Sequence, residues 1–329
     1  MVPRVGTGLS TIAAVPGKAE AVGRPSLSAV VPATDRPGSL ARCLQAIRDA
    51  NDPPEEVVVV DECELPGPAA ARNDGARRAS GGVLVFVDAD VLPHADAFER
   101  IRNAFASSPE LIAVFGSYDD APEATGSVSS FRNLLHHHVH QQAAGRATTF
   151  WAGLGAVRRD AFLGVGGFDP ARYRTASIED IELGVRLARV GEIRLDPQLL
   201  GTHLKRWTLR SMVQTDFFRR GVPWASLLLR ERAGAQVLNL GWRHRLSALA
   251  CVVFAAAVPV RRVGLAFWSA AAFVALNRSF YALLFRRRGG HVASVGIALH
   301  ALHHLVGIAA ASTALATHVG RRLLVRGPR

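Results

Sequence analysis

The sequence predicts an α/β body, built on a mixed, mainly parallel sheet with helices on both faces, followed by transmembrane or interfacial helices. Three observations predict it. From Leu27 to Phe115, short Val-rich runs alternate with segments of helical spacing, the order that builds parallel sheets. Polar residues stand just past the ends of those runs, where open α/β sheets place their ligands. Beyond residue 242 the chain turns to long apolar stretches, uncharged but for Arg278, separated by arginine clusters.

Residues 1–25, rich in Ala, Gly, Val and Pro, carry no usable periodicity and read as a loose tail. They lack the apolar core and small-residue cleavage site of a signal peptide, so the body is expected in the cytosol. Leu27–Val31, ended by Pro32, reads as a buried strand. Arg36 to Ala50 has helical spacing, with Ser39 as N-cap. Val57–Val60 is the second strand, 68–79 a helix opening after Pro66-Gly67-Pro68, and Val83–Val87 the third strand. A helix over Ala95–Ser107 and a strand over Leu111–Phe115 follow. Site candidates at the strand ends are Thr34, Asp35, Asp61, Glu62, Asp88 and Asp90.

The 329 residues have a mean hydropathy of +0.16 and 49% hydrophobic residues, which excludes a disordered chain. Three widely spaced cysteines, Cys43, Cys63 and Cys251, exclude a disulfide framework and a CxxC zinc site. The net charge of +12 is unevenly placed: residues 205–329 hold 19 Lys and Arg against two acids, Asp216 and Glu231, while residues 1–204 are net acidic. Because those arginines punctuate apolar runs, the pattern fits a membrane surface rather than nucleic acid. The runs are Leu246–Val260, Val263–Phe285 and Val292–Val319. An arginine cluster lies between every pair of them, so three simple spans cannot keep all the clusters on one side. Either the short first run is interfacial or re-entrant, or helices pair as a hairpin.

Asp88-Ala89-Asp90 directly follows a strand, and two acids so placed suit Mg²⁺ or Mn²⁺ holding phosphate oxygens. Ala71-Arg72-Asn73, 16 residues before Asp88, offers a planar guanidinium for a base or pyrophosphate. Glycines between Gly153 and Gly167 permit close backbone approach beside Trp151, as a sugar-binding loop requires. Glu179 and Asp180 open an amphipathic helix, where the dipole favours acids and one of them can serve as general base.

In this order, Asp61, Ala71-Arg72-Asn73, Asp88-Ala89-Asp90, the Gly153–Asp169 segment and Glu179-Asp180 resemble a family 2 glycosyltransferase with the GT-A fold, over about residues 26–205. The membrane-anchored bacterial members look most similar. The resemblance implies transfer from a nucleotide-diphospho-sugar with inversion in a single displacement. It places Asp61 or Glu62 on the base and Arg72 on base or diphosphate, with Pro32, Thr34 and Gly153 in the donor site. Asp90 is then the metal ligand, Asp88 sits on ribose or metal, and Asp180 is the base supported by Glu179. A cation clamped on the diphosphate stabilises its departing charge, and an ordinary carboxylate works as base mainly through position.

Related transferases bring a histidine back to the metal, which makes His203 the second protein ligand. Lys205 and Arg206 are candidates for a donor or acceptor phosphate, and Trp207 for an interfacial anchor or stacking surface. His136-His137-His138-Val139-His140 reads as a partly exposed helix face rather than a metal site. Two departures from the family pattern are the Cys63-Glu64-Leu65-Pro66 run after Asp61 and an Arg206-Trp207 pair without its preceding glutamine. With few spans, single transfer is expected rather than polymer extrusion. The parts expected are a tail (1–25), a GT-A domain (26–205), an amphipathic interfacial linker (206–242) and anchoring helices (243–329). The partners are a nucleotide-sugar, a lipid-linked or membrane-proximal acceptor and the bilayer, at the inner (plasma) membrane with the catalytic domain cytoplasmic. A nucleotidyltransferase fits poorly, because Pro32-Ala33-Thr34-Asp35 is no phosphate loop, and the intact acids argue against an inactive scaffold.

Overall fold

A computed structural model describes residues 24–35, 37–231 and 241–325. Most of the expected tail, Arg36 and part of the expected linker lie outside the described residues. The order is β1 (Leu27–Pro32), α1 (Leu40–Arg48), β2 (Glu56–Val60), α2 (Pro68–Arg78), β3 (Val83–Val87), β4 (Val91–Pro93), α3 (Ala97–Ser107) and β5 (Leu111–Tyr118). Then come α4 (Ser127–Gln142), β6 (Gly145–Ala147), β7 (Leu154–Arg158), α5 (Arg159–Gly164), α6 (Glu179–Leu187) and β8 (Glu192–His203). The remainder is helical: α7 (Leu209–Gln214), a π-helix (Thr215–Gly221), α8 (Val222–Glu231), α9 (Trp242–Ala257), α10 (Val263–Leu276) and α11 (Arg278–Val325).

The sheet runs β2-β1-β3-β7-β5-β8-β4, with β6 also on β8. β1 is parallel to β2 and β3, as the βαβ alternation predicts. From there the sheet becomes mixed. β7 starts beside the carboxyl end of β3, with Leu154 opposite Val87, so it runs antiparallel to both β3 and β5. The expectation of a mainly parallel sheet thus holds for its first three strands and for β5 beside β8.

Alternation along β3 divides the core. Val83, Val85 and Val87 face α1 and α3 through Ile47, Phe98 and Ile101. Leu84 and Phe86 face α2, α5 and α6 through Ala71, Phe162, Leu183 and Leu187. A third apolar cluster joins α4 to the C-terminal helices, with Phe131 and Leu134 against Phe273, Phe280 and Leu284. Helix α4 therefore lies between the sheet and those helices, and two of its histidines tie it to the sheet. His136, His137 and His138 are partly exposed, as expected, while His140 is buried; His137 and His140 bind the Tyr118 and Gly116 carbonyls of β5 at 2.8 and 2.9 Å.

Candidate active site

Small residues let α2 sit close to the sheet: Ala69, Ala71 and Ala76 are buried, and the side chains of Val30 and Val60 leave no space for a Cβ at Gly75. Arg72 is thereby carried beneath the strand ends, only 6% exposed. One terminal nitrogen binds Asp88 at 2.7 Å and the other binds Glu179 at 2.9 Å. Arg72 therefore braces carboxylates under the cleft, where the resemblance implied a donor contact. The carboxylates hold its guanidinium firmly charged against the opposing effect of burial. Asn73, its neighbour, clamps the backbone of Phe168 in both directions at 2.9 Å. That clamp fixes the loop containing Gly166 and Gly167, whose φ values of 83° and 67° suit only glycine.

Asp88 donates its backbone N–H to the Gly153 carbonyl at 3.1 Å, and Val91 closes a turn on Asp88 at 2.9 Å. Gly153 packs against Trp151, whose ring occupies the space a Cβ would need. The aromatic ring beside the glycine loop is thus the protein's own. Burial and the nearby Asp90 raise the pKa of Asp88, against the pull of Arg72.

Asp180, half-buried in the first turn of α6, accepts from the N–H of Ile181 at 2.8 Å and of Ala152 at 3.3 Å. Burial and the adjacent Glu179 push its pKa up to about 6, although Arg72 and Arg220 pull it down. Glu179 is 4% exposed, and its second oxygen takes the Ser177 N–H at 2.7 Å, so it is committed to structure.

On the other side of the turn, β4 pairs antiparallel with the end of β8, setting Val91 opposite His203. The Leu204 N–H binds the Asp90 carbonyl at 2.9 Å. These bonds bring His203 to Asp90, with Nε2 3.5 Å from the carboxylate. Its Nδ1 lies 2.6 Å from the amide oxygen of Asn133 on α4, which accepts the Nδ1 proton; Nε2 then presents a lone pair toward Asp90 in the neutral ring and donates to the carboxylate in the imidazolium. Tyr118 stacks on the ring at 4.1 Å and 9°. Burial would raise the pKa of Asp90, but His203 and Lys205 keep it low. Among the described residues, no three His, Cys, Asp or Glu side chains stand close enough to hold a metal ion by themselves.

The remaining predicted residues occupy the rim. Thr34, Asp61 and Glu62 are exposed just past β1 and β2, and Pro32 is half-buried at the end of β1. Glu62 and Cys63 line a groove of about 370 Å³ with Asn73, Asp74 and Arg77. Lys205 and Arg206 are exposed, and the Lys205 ammonium lies over the Trp207 ring at 4.7 Å. Trp207 itself packs under Arg132 at the joint with the C-terminal helices.

Three residues at the site escaped the sequence reading. Tyr118 closes β5, so the strand-end rule would have found it had the strand been drawn to its full length. Asn133 carried no signal, because only the packing of α4 brings it to His203. Arg220 sits on the π-helix, which Ser177 ties to the segment carrying Glu179 and Asp180 by donating to the Arg219 carbonyl at 2.5 Å. Arg220 acts electrostatically on Asp180 and Tyr118, and it is exposed.

Comparison with known proteins matches this arrangement to one family. The model of the family described as "Glycosyltransferase like family 2" covers residues 39–238. A pre-mycofactocin glycosyltransferase of Mycobacterium tuberculosis is 28% identical over 174 residues, covering 50% of this chain and 36% of that protein. Glycosyltransferase AglE of Haloferax volcanii is 25% identical over 175 residues, covering 44% of this chain and 56% of its own length. The matches thus span between about a third and just over half of these curated relatives. Among solved structures, mannosyltransferase PcManGT from Pyrobaculum calidifontis, in complex with GDP-Man and Mn²⁺, shares 17% identity over 89% of this chain and 88% of that chain, with a TM-score of 0.46. The chain belongs to the family 2 glycosyltransferases.

Proposed function

We propose that this family 2 transferase is inverting and dependent on a divalent cation. It moves a sugar from a nucleotide-diphospho-sugar to a lipid-linked or membrane-proximal acceptor. The observation that carries this reading is that Asp88 and Asp90, at the end of β3, share one cleft with Glu179 and Asp180, at the start of α6, through the two-sided grip of Arg72.

Asp180 is the base. Its raised pKa, about 6, leaves it ionised at neutral pH and makes it a stronger proton acceptor than an ordinary carboxylate. The Ala152 N–H and the α6 backbone fix its direction, so it takes the acceptor hydroxyl's proton as the oxygen attacks the anomeric carbon. Asp90 and His203 Nε2 fit Mg²⁺ or Mn²⁺: the two stand 3.5 Å apart, and in the neutral ring Asn133 accepts from Nδ1 and so leaves the Nε2 lone pair facing inward. Two ligands, with no third His, Cys, Asp or Glu beside them among the described residues, suit a cation that shares its remaining positions with a substrate diphosphate. Such a cation neutralises charge on the departing nucleoside diphosphate. Thr34, Asp61 and Glu62 lie where the nucleoside would extend from the strand ends. Lys205, Arg206, Trp207 and Arg220 rim the side nearest the C-terminal helices and suit an anionic acceptor group.

The apolar character of α11, whose Arg278–Arg322 stretch is long enough to cross a bilayer, supports a membrane-proximal acceptor. It also supports a plasma-membrane location with the sheet on the cytoplasmic side. The test is donor binding by detergent-purified protein, with UDP-, GDP- and dTDP-sugars in Mn²⁺, Mg²⁺ or EDTA. Cation-dependent binding of one donor, lost in Asp90→Ala, is expected. Binding unchanged by EDTA and by Asp90→Ala would overturn the assigned cation site.

A further inference from the structure

The Asn133 bond fixes one atom of the His203 ring, and a second set of contacts fixes its plane. The last side-chain torsion of a histidine has broad wells, so a single hydrogen bond at Nδ1 lets the imidazole swing Nε2 off Asp90. Four rings in a row remove that freedom. β5 runs parallel to β8 with Tyr118 opposite Gly201, which brings His203, two residues on, beside the Tyr118 ring. Those two rings stack at 4.1 Å and 9°. Tyr118 is backed by His136 at 4.3 Å, and His136 by His140 at 3.9 Å. Trp151 closes the side of the row, 4.8 Å from both Tyr118 and His136.

The row is anchored at both ends. Asn133, His136 and His140 stand at i, i+3 and i+7, so they share one face of α4. Asn133 accepts the Nδ1 proton of His203 at 2.6 Å, and His140 binds the Gly116 carbonyl of β5 at 2.9 Å. His136, between them, has a buried Nδ1 with no hydrogen-bond partner among the described residues, so ring contact is what it contributes. Tyr118 likewise offers its ring: among the described residues its hydroxyl makes no hydrogen bond. Turning the His203 ring about its last torsion would drive its edge into the Tyr118 face, and Tyr118 cannot retreat without displacing His136. Trp151 precedes Ala152, whose N–H binds Asp180 at 3.3 Å, so the same row borders both sides of the cleft.

We propose that Tyr118 and His136 are positioning residues of the cation site: their rings hold the His203 imidazole in the plane that keeps Nε2 turned to Asp90 before a cation arrives. This rests on the reading of Asp90 and His203 as the cation pair, and extends it to residues that touch neither cation nor substrate. An aromatic pair favours one arrangement of its rings by roughly 2- to 10-fold. Groups that orient a metal-ligating histidine carry about 10- to 100-fold in metal affinity. Because the work is done by the faces of the rings, phenylalanine can replace either residue and leucine cannot.

The experiment uses the full chain in detergent with Mn²⁺ and either UDP or GDP, whichever the native protein binds. Electron paramagnetic resonance titration gives the Mn²⁺ affinity, and spin-echo modulation reports a coordinated imidazole nitrogen. The native protein is expected to show nitrogen modulation that His203→Ala removes. Tyr118→Leu is expected to weaken the modulation and to lower Mn²⁺ affinity by about 10-fold, while Tyr118→Phe keeps both. His136→Leu shifts both in the same direction by less, and His136→Phe restores them. His136 is partly exposed, so this second pair gives the answer even where Tyr118→Leu fails to fold. Native modulation and affinity in both leucine variants would overturn the inference. So would equal losses in Tyr118→Phe and Tyr118→Leu, which would assign the effect to the hydroxyl. A native protein without nitrogen modulation would overturn the cation reading itself, and this inference with it.

Discussion

Arg72 lies in the floor of the cleft, 6% exposed, with both terminal nitrogens on carboxylates. Arg220 stands on the rim, exposed, and among the described residues it makes no hydrogen bond or ion pair. Both bear on Asp180, and both lower its pKa. The difference teaches where a charge is structural and where it is available. A buried guanidinium needs matching charge or the fold loses stability, and Arg72 has both terminal nitrogens committed to carboxylates, only its buried Nε standing without a partner among the described residues. An exposed one costs little to keep unmatched, so Arg220 can receive an anion.

The sharpest way to break this comparison is to remove the group both arginines act on. Asp180→Asn is expected to lower the transfer rate by at least about 10³-fold with donor binding retained. It should also raise the melting temperature slightly at pH 7.5. The sign follows from the raised pKa: an acid protonated more readily in the folded state destabilises that state once ionised, above about pH 6. An unchanged rate would remove Asp180 from the mechanism.

Arg72→Ala strands the Asp88 and Glu179 charges beneath the cleft. A loss of roughly 3–5 kcal/mol in unfolding free energy is expected, read by urea denaturation. A variant as stable as the native protein would make Arg72 a ligand contact after all.

Asn133→Leu frees the His203 ring to change tautomer or rotate. Mn²⁺ affinity, measured by electron paramagnetic resonance in the presence of donor, is expected to fall by about 10- to 100-fold. No change would place the histidine outside the cation's coordination.

Arg220→Ala should leave the fold intact and raise KM for an anionic acceptor by about 10-fold, with little change in kcat. Because a cation near a carboxylate lowers its pKa, removing Arg220 lets that of Asp180 rise. The acid limb of the rate profile then moves above about pH 6. An unshifted limb would place Arg220 outside the reach of the base.

The legible parts of this molecule were those with local causes. Strands β1, β2 and β3 were readable because buried parallel strands are continuous apolar runs, and Asp88, Asp90 and Asp180 because acids at element ends follow from the chain's own punctuation. The reversal at β7 was not readable, since nothing in Leu154–Arg158 distinguishes a strand entering from one end of a sheet or the other. The role of Arg72 depended on Glu179, 107 residues away, and that of His203 on Asn133, 70 residues away. The fold-back of α11 depended on a single glycine, Gly289, whose φ of 79° breaks the helix.

The pairing of β4 with β8 has a consequence for the timing of conformational entropy. His203 is the last residue of a 12-residue strand, and its backbone is fixed opposite Val91 before anything enters the cleft. The freedom a loop-borne imidazole would surrender at each binding event is here lost once, when the sheet forms. A cation held between Asp90 and His203, as proposed above, would meet a pair already in register, and its departure would not have to melt one.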